Sequence, residues 1–223
     1  MTLLAVRLHL GRFFWAAPLL VLVWSVAHAG LSIAKLNPIA FNAANAQNWL
    51  IGVPLDILAI GIGIGVIADE IEQRTLEVTY TVPGGTRFIW MFKLVAAVLI
   101  ILSAELLLAL TTAVFFSSFP LAVIYRVFQG AVFFLVLAMG AGVLTRNKLS
   151  AALVAGGVLA LMLSFSFDNR WSPLFNPLAD EYADSNLVTQ WSVQNHLGFA
   201  LVIAGIVSLS FSRAERRELL LRE

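Results

Sequence analysis

Cysteine is absent from the 223 residues, which excludes thiolate nucleophiles, thiolate metal sites and disulfides. Charge is scarce: Asp, Glu, Lys and Arg make up 12% of the chain, about half the share of an ordinary soluble domain. The 14 basic and 13 acidic residues nearly cancel to a net charge of +1, so no global field draws acidic partners or nucleic acid to the surface. The 3 histidines are too scattered along the chain for a metal cluster. What the chain has instead is apolar surface, with 60% hydrophobic residues and a mean hydropathy of +0.90. That composition excludes a water-soluble enzyme, a secreted disulfide scaffold and a nucleic-acid binder, and places the chain in the membrane class.

Six segments approach the ~20 apolar residues that a helix needs to cross the hydrocarbon core. They are Phe13–Ala34, Trp49–Ala68, Leu94–Phe116, Val127–Thr145, Leu149–Phe167 and Leu197–Ser212, the last starting near Asn195. The runs are apolar on all sides, without the alternation of a β-barrel strand. The expected fold is therefore all-α: a single polytopic transmembrane domain over residues 1–223 with six membrane helices. Leu3, Val6 and Leu10 share one helical face beside Arg7, a pattern that suits an amphipathic elbow before the first span. That span is too long for the apolar part of a cleavable signal and lacks a following cleavage site.

With both termini inside, eleven of the 14 Lys and Arg residues fall on the inner side and only Lys35, Arg126 and Arg170 on the outer. The positive-inside rule then predicts cytoplasmic termini in the plasma (inner) membrane. Residues 35–48 form a short external link and residues 168–194 a longer external segment with Trp171, Trp191 and the acidic group Asp180, Glu181 and Asp184. The acidic group reads as a solvated face, and the aromatics as lipid-boundary anchors. Arg213, Arg216, Arg217 and Arg222 flank three leucines in a tail suited to anionic headgroups.

The strongest signal lies in the cytoplasmic segment 69–93. Asp69-Glu70-Ile71-Glu72-Gln73-Arg74-Thr75-Leu76-Glu77 directly follows an apolar span, and Glu70 and Arg74 stand four apart, where they support a helical turn. Val82-Pro83-Gly84-Gly85 then breaks the helix, and Thr86 is placed to cap the next one. The residues alone fit a short amphipathic helix along the membrane face, solvated or docked to a partner.

This stretch resembles the permeases of the ABC-2 type, which carry an acidic and basic cluster after the second span, then Gly-Thr-Leu-Glu, a Pro, Ser-Arg and a Lys entering the third span. Here Thr75-Leu76-Glu77, Pro83, Thr86-Arg87 and Lys93 fill those places, with Arg74 where the family has Gly and Arg87 one residue late. The resemblance implies an exporter permease working as a dimer, a second copy or homologous permease beside it. It also implies a coupling helix that meets separate ATP-binding cassette subunits through Glu70, Glu72, Arg74, Thr75, Glu77, Pro83 and Arg87. ATP and Mg would belong to those subunits, because this chain has no Gly-x-x-x-x-Gly-Lys-Ser/Thr loop. The chain itself is expected to bind no cofactor and catalyse no reaction, with membrane lipids as its remaining partners.

Inside the membrane, Gly61 and Gly65 are four apart and read as a helix-packing face, as do Gly140, Gly142, Gly156 and Gly157. Glu105 falls midway along the third span, about 16 Å from either end at 1.5 Å per residue. A carboxylate there costs about 3 kcal/mol unless it faces a cavity, finds a partner or is protonated. Asp56 reads as shallower, roughly two turns below the outer end of its span, with Arg126 as a candidate partner for either carboxylate. Glu105 and Asp56 are accordingly expected either to line the translocation path or permease interface, or to serve as structural carboxyls. They also carry the competing function, a proton-coupled secondary transporter that needs no ATPase. An intramembrane serine protease is disfavoured, since Ser103, Ser164 and Ser166 have no histidine at matching depth.

Overall fold

The computed structural model describes residues 16–34, 42–72, 86–165, 170–178 and 185–215. The amphipathic arm, most of the charged segment with Arg74, Thr75, Glu77 and Pro83, the group Asp180, Glu181 and Asp184, and the tail beyond Glu215 lie outside the described residues. Among the described residues all regular structure is helical. The helices are α1 (Ala16–Ile33), α2 (Ala43–Glu72), α3 (Thr86–Phe115), α4 (Ala122–Thr145), α5 (Lys148–Phe165) and α6 (Ser185–Ala214). Five are long and apolar enough to cross a membrane; α5 is apolar and shorter.

Several ends differ from the apolar runs. The third helix begins at Thr86 rather than Leu94 and so includes Arg87 and Lys93, while the sixth begins at Ser185 and absorbs ten residues of the expected external segment. At 30 residues each, these two helices run about 45 Å, longer than the ~30 Å hydrocarbon core, so their polar ends project beyond it or the helices tilt.

Helix α2 starts six residues earlier than its apolar run. Asn42 caps it, its Oδ1 accepting the Asn45 amide at 2.8 Å. Residues Ala46–Gly52 then form a π-helical stretch, closed by the Val53 amide donating to Asn48 O. Pro54 accounts for the widening: it supplies no N–H to the Leu50 carbonyl, and its ring crowds that carbonyl. Gly52 fits the same distortion, since a Cβ there would lie 2.7 Å from Gln47 O. The Trp24 indole donates to Trp49 O at 2.8 Å and ties α1 to this turn.

Helices α2 and α4 form the centre. Gly63 permits their approach, because a Cβ on it would collide with Leu135 O and lie 3.1 Å from Ala138 Cβ. Gly142 sits against Ala68, and Gly140 against Ile206 and Ser210 of α6. Gly61 faces open space, as do Gly156 and Gly157, so the close contact of α2 falls two residues away from the expected glycine. Helix α3 packs on α2, α5 on α2 and α4, α6 on α4, and α1 on α3.

Helices α1 and α6 turn leucines and valines outward, among them Leu20, Val23, Val26, Leu197 and Leu201. Outward apolar rows on long helices match hydrocarbon rather than water. A tight connection joins α4 to α5: Arg146 takes a left-handed conformation (φ 56°), and Asn147 Oδ1 accepts the Ser150 amide at 3.0 Å, capping α5.

Candidate functional site

Two groups of polar residues stand out in this apolar bundle. The first is a charged collar where α2 ends and α3 and α5 begin. Glu70 is buried, and it accepts the Trp90 indole N–H at 2.8 Å and the Lys93 ammonium at 2.6 Å. Trp90 is itself fully buried, its ring 6.0 Å from that of Phe211 near the end of α6. Glu72 accepts the Lys148 backbone amide at 2.8 Å, acting as a cap for α5 contributed by another helix. The Lys148 ammonium pairs with Asp69 and lies 3.5 Å from Glu72. Its hydrogen bond to Asp69 and the two carboxylate charges raise its pKa above the usual lysine value, against a smaller opposing effect of desolvation. Arg87, at the edge of the group, pairs with Glu215.

This arrangement bears on the residues expected to couple to a partner. Glu70, Glu72 and Arg87 are brought together around the base of segment 73–85, and each is engaged within the chain. Glu70 is enclosed by Trp90 and Lys93, which makes it an anchor for the segment's two ends rather than a surface contact. Arg74, Thr75, Glu77 and Pro83 belong to the part outside the described residues. Lys148, Asp69 and Trp90 complete the collar and were not singled out by the sequence. Trp90 and Lys93 reach Glu70 across 20 and 23 residues, a separation at which no local pattern operates.

The second group lies halfway through the bundle. Glu105 has no accessible surface and Asp56 only 1%. Because α2 starts at Ala43, Asp56 lies thirteen residues from the start of that helix, about 20 Å at 1.5 Å per residue, and seven residues from Trp49, where the apolar run begins. The charges of the two side chains act on one another. Among the described residues neither carboxylate forms a hydrogen bond of normal geometry, although Glu105 lies beside the Phe128 peptide N–H.

Arg126 pairs with neither carboxylate among the described residues; its Nη2 reaches Ser192 Oγ at 3.3 Å. His196 is held by Gln129, which donates to its carbonyl at 2.7 Å and contacts its Nδ1.

Above Asp56, residues 170–178 are fastened down by side-chain amides. Gln47 donates to Phe175 O at 3.1 Å and Asn176 to Ala44 O at 2.9 Å. Asn195 donates to both Arg170 O and Ser172 O at 2.8 Å. Buried amide bonds of this kind fix one position for a segment, since releasing any of them strands a polar group. Arg170 lies over the rings of Trp171 and Trp191, at 5.1 and 5.5 Å from their centroids.

No metal-binding group of three or more His, Asp or Glu side chains occurs among the described residues. No family model, no curated protein and no solved structure matches the chain.

Proposed function

We propose that the chain is the membrane-spanning permease subunit of an ATP-binding-cassette exporter. The observation that supports this most directly is the collar. A segment that transmits force from a partner needs a rigid base, and Glu70 with Trp90 and Lys93 closes that base, while Asp69 and Glu72 with Lys148 link it to α5. Motion imposed on residues 73–85 would thereby reach α2, α3 and α5 together. The residues resembling a coupling motif, Thr75, Glu77, Pro83 and Arg87, occupy or adjoin that segment.

In this reading α5 also crosses the membrane, which makes six spans, and both termini face the cytoplasm of the plasma membrane. Two permeases, identical or homologous, form the path between them, and ATP with Mg is bound and hydrolysed by separate cassette subunits.

The test is affinity purification of the tagged chain in mild detergent, with identification of stoichiometric partners and an ATPase assay. A co-purifying subunit with a phosphate-binding loop, released by Glu77→Arg, is the expected result. Glu77 is preferable to Glu72 for this purpose, because Glu72 already holds Lys148. A chain that purifies alone, without ATPase activity, overturns the proposal.

The buried carboxylates favour a second reading, proton-coupled secondary transport. Asp56 and Glu105 are two acidic groups deep in the bundle that meet no side-chain partner of normal hydrogen-bond geometry among the described residues, the setting in which intramembrane carboxyls carry protons. Transport into sealed vesicles driven by a pH gradient, without ATP and lost in Glu105→Gln, would select it.

A further inference from the structure

A small space of about 20 Å3 lies beneath residues 170–178, with Gln47, Asp56, Arg126 and Gly130 on its walls and Pro173 and Leu174 over it. The volume suits one water molecule, which needs roughly 10–15 Å3 measured in this way. The walls carry unmet hydrogen-bonding capacity of both kinds. Asp56 Oδ1 and Oδ2 and Gln47 Oε1 are buried acceptors that no group among the described residues satisfies, and Arg126 Nε is a buried donor in the same condition. Gly130 keeps the space open: a Cβ there would lie 3.2 Å from Pro173 O and 3.8 Å from Asp56 Oδ1.

We propose that this cavity is a binding site for a single water molecule that bridges Arg126 to Asp56 and Gln47. The water accepts a hydrogen bond from Arg126 Nε and donates one each to Asp56 and Gln47 Oε1. Three bonds is the usual complement of a buried water. A sodium ion would suit the carboxylate and the amide oxygen, but it would be pressed against the guanidinium that shares the cavity. A water serves donor and acceptors together.

The bridge has a mechanical consequence, because Gln47 uses both ends of its amide. Its Nε2 holds Phe175 O, and in this proposal its Oε1 accepts from the water. The water therefore fastens segment 170–178 to α2 and α4 through groups that do not touch each other directly.

The site is tested on the unaltered chain, with whatever subunits it carries, in lipid nanodiscs. A density map fine enough to show ordered water should contain one peak within hydrogen-bond distance of Arg126 Nε, Asp56 and Gln47 Oε1. Melting temperatures in sodium, potassium and choline chloride should coincide. Arg126 in direct contact with Asp56 and no peak between them overturns the proposal, as does a saturable rise in melting temperature specific to sodium.

The native absence of cysteine supplies a third arm: Ser172→Cys, buried in the parent, is labelled slowly by a membrane-impermeant maleimide. Adding Asp56→Asn or Arg126→Gln should raise that rate about tenfold, the worth of one hydrogen bond to a charged group. If labelling is unchanged in whichever of the two variants folds, the water does not fasten the segment and the proposal fails.

Discussion

At the end of α2, Asp69, Glu70 and Glu72 meet Lys93, Lys148 and the Trp90 indole. About four turns earlier on the same helix, Asp56 meets no protein donor among the described residues. The same chemical group is thus neutralised in one place and left unmet in another. Paired carboxylates hold chain segments in one arrangement, because separating the pair strands a charge in a poorly solvated site. Unmet carboxylates cost stability in every arrangement, so their retention at depth points to a ligand, a proton or water. The collar is thus the fastened region and the mid-bundle pair the unfastened one.

Breaking the collar at its most buried point should have the largest effect. Glu70→Ala leaves Lys93 and the Trp90 indole without their acceptor, and removing one partner of a buried pair costs about 3–5 kcal/mol. Loss of membrane abundance and a large fall in melting temperature are expected. The double change Glu70→Leu with Lys93→Met should recover part of the loss, since it removes both charges together. Melting unchanged by Glu70→Ala would show that the collar does not hold the helices.

Gly63 stands between the two carboxylate groups on α2 and sets the distance to α4. Gly63→Ala drives a methyl group into Leu135 O, a backbone atom that cannot rotate away, so about 1–3 kcal/mol or more of overpacking is expected. Gly61→Ala meets nothing within 4 Å and should be harmless. Equal melting temperatures for the two variants would contradict the packing of α2 on α4.

That contrast also shows what the sequence could and could not reveal. The small-residue spacing picked out Gly61 and Gly65, but a repeat of four marks a stripe without saying which side of the helix turns inward. Hydropathy located the apolar middle of each helix and missed the ends of α3 and α6. Arg87, Lys93 and the Ser185–His196 turns are polar yet helical, and such residues lower any hydrophobic average. The same blindness missed the start of α2, because the π turn and the cap at Asn42 extended that helix by six residues. Pro54 was the local sign of that turn. Glu105 was legible as a lone carboxyl inside one apolar run. The partners of Glu70 were not, since they approach from beyond a 13-residue segment of the chain.

The midplane pair should respond in the opposite sense to the collar. Glu105→Gln keeps the shape and removes a buried ionisable group that has no ion-pair partner to strand. Its melting temperature should match or exceed that of the parent, because replacing a costly buried charge by a neutral group is neutral to stabilising. Transport by the assembled protein should nevertheless fall if the carboxyl serves the path. Normal transport at normal abundance would reduce Glu105 to a structural group, and a collapse in melting temperature would mean that its partner lies among groups outside the described residues.

The smallest effect should come from the outermost member of the collar, Arg87 with Glu215. The arginine side chain is 60% exposed and the glutamate 35%, so water screens the pair and both side chains lose freedom in meeting. Exposed pairs of this kind contribute about 0.2–1 kcal/mol. A double-mutant cycle on melting, with Arg87→Ala, Glu215→Ala and both, should give a coupling at the low end of that range, fading as salt is raised. Glu70 should keep its coupling to Lys93 in the same salt series, because that pair is shielded from solvent. The two salt responses separate the roles within the collar: Glu70 acts as a fixed anchor, while Arg87 holds Glu215 weakly enough to exchange it for another carboxylate. If both couplings survive high salt equally, Arg87 is as much a part of the fixed base as Glu70, and a contact between Arg87 and a partner subunit would first have to break a stable bond within the chain.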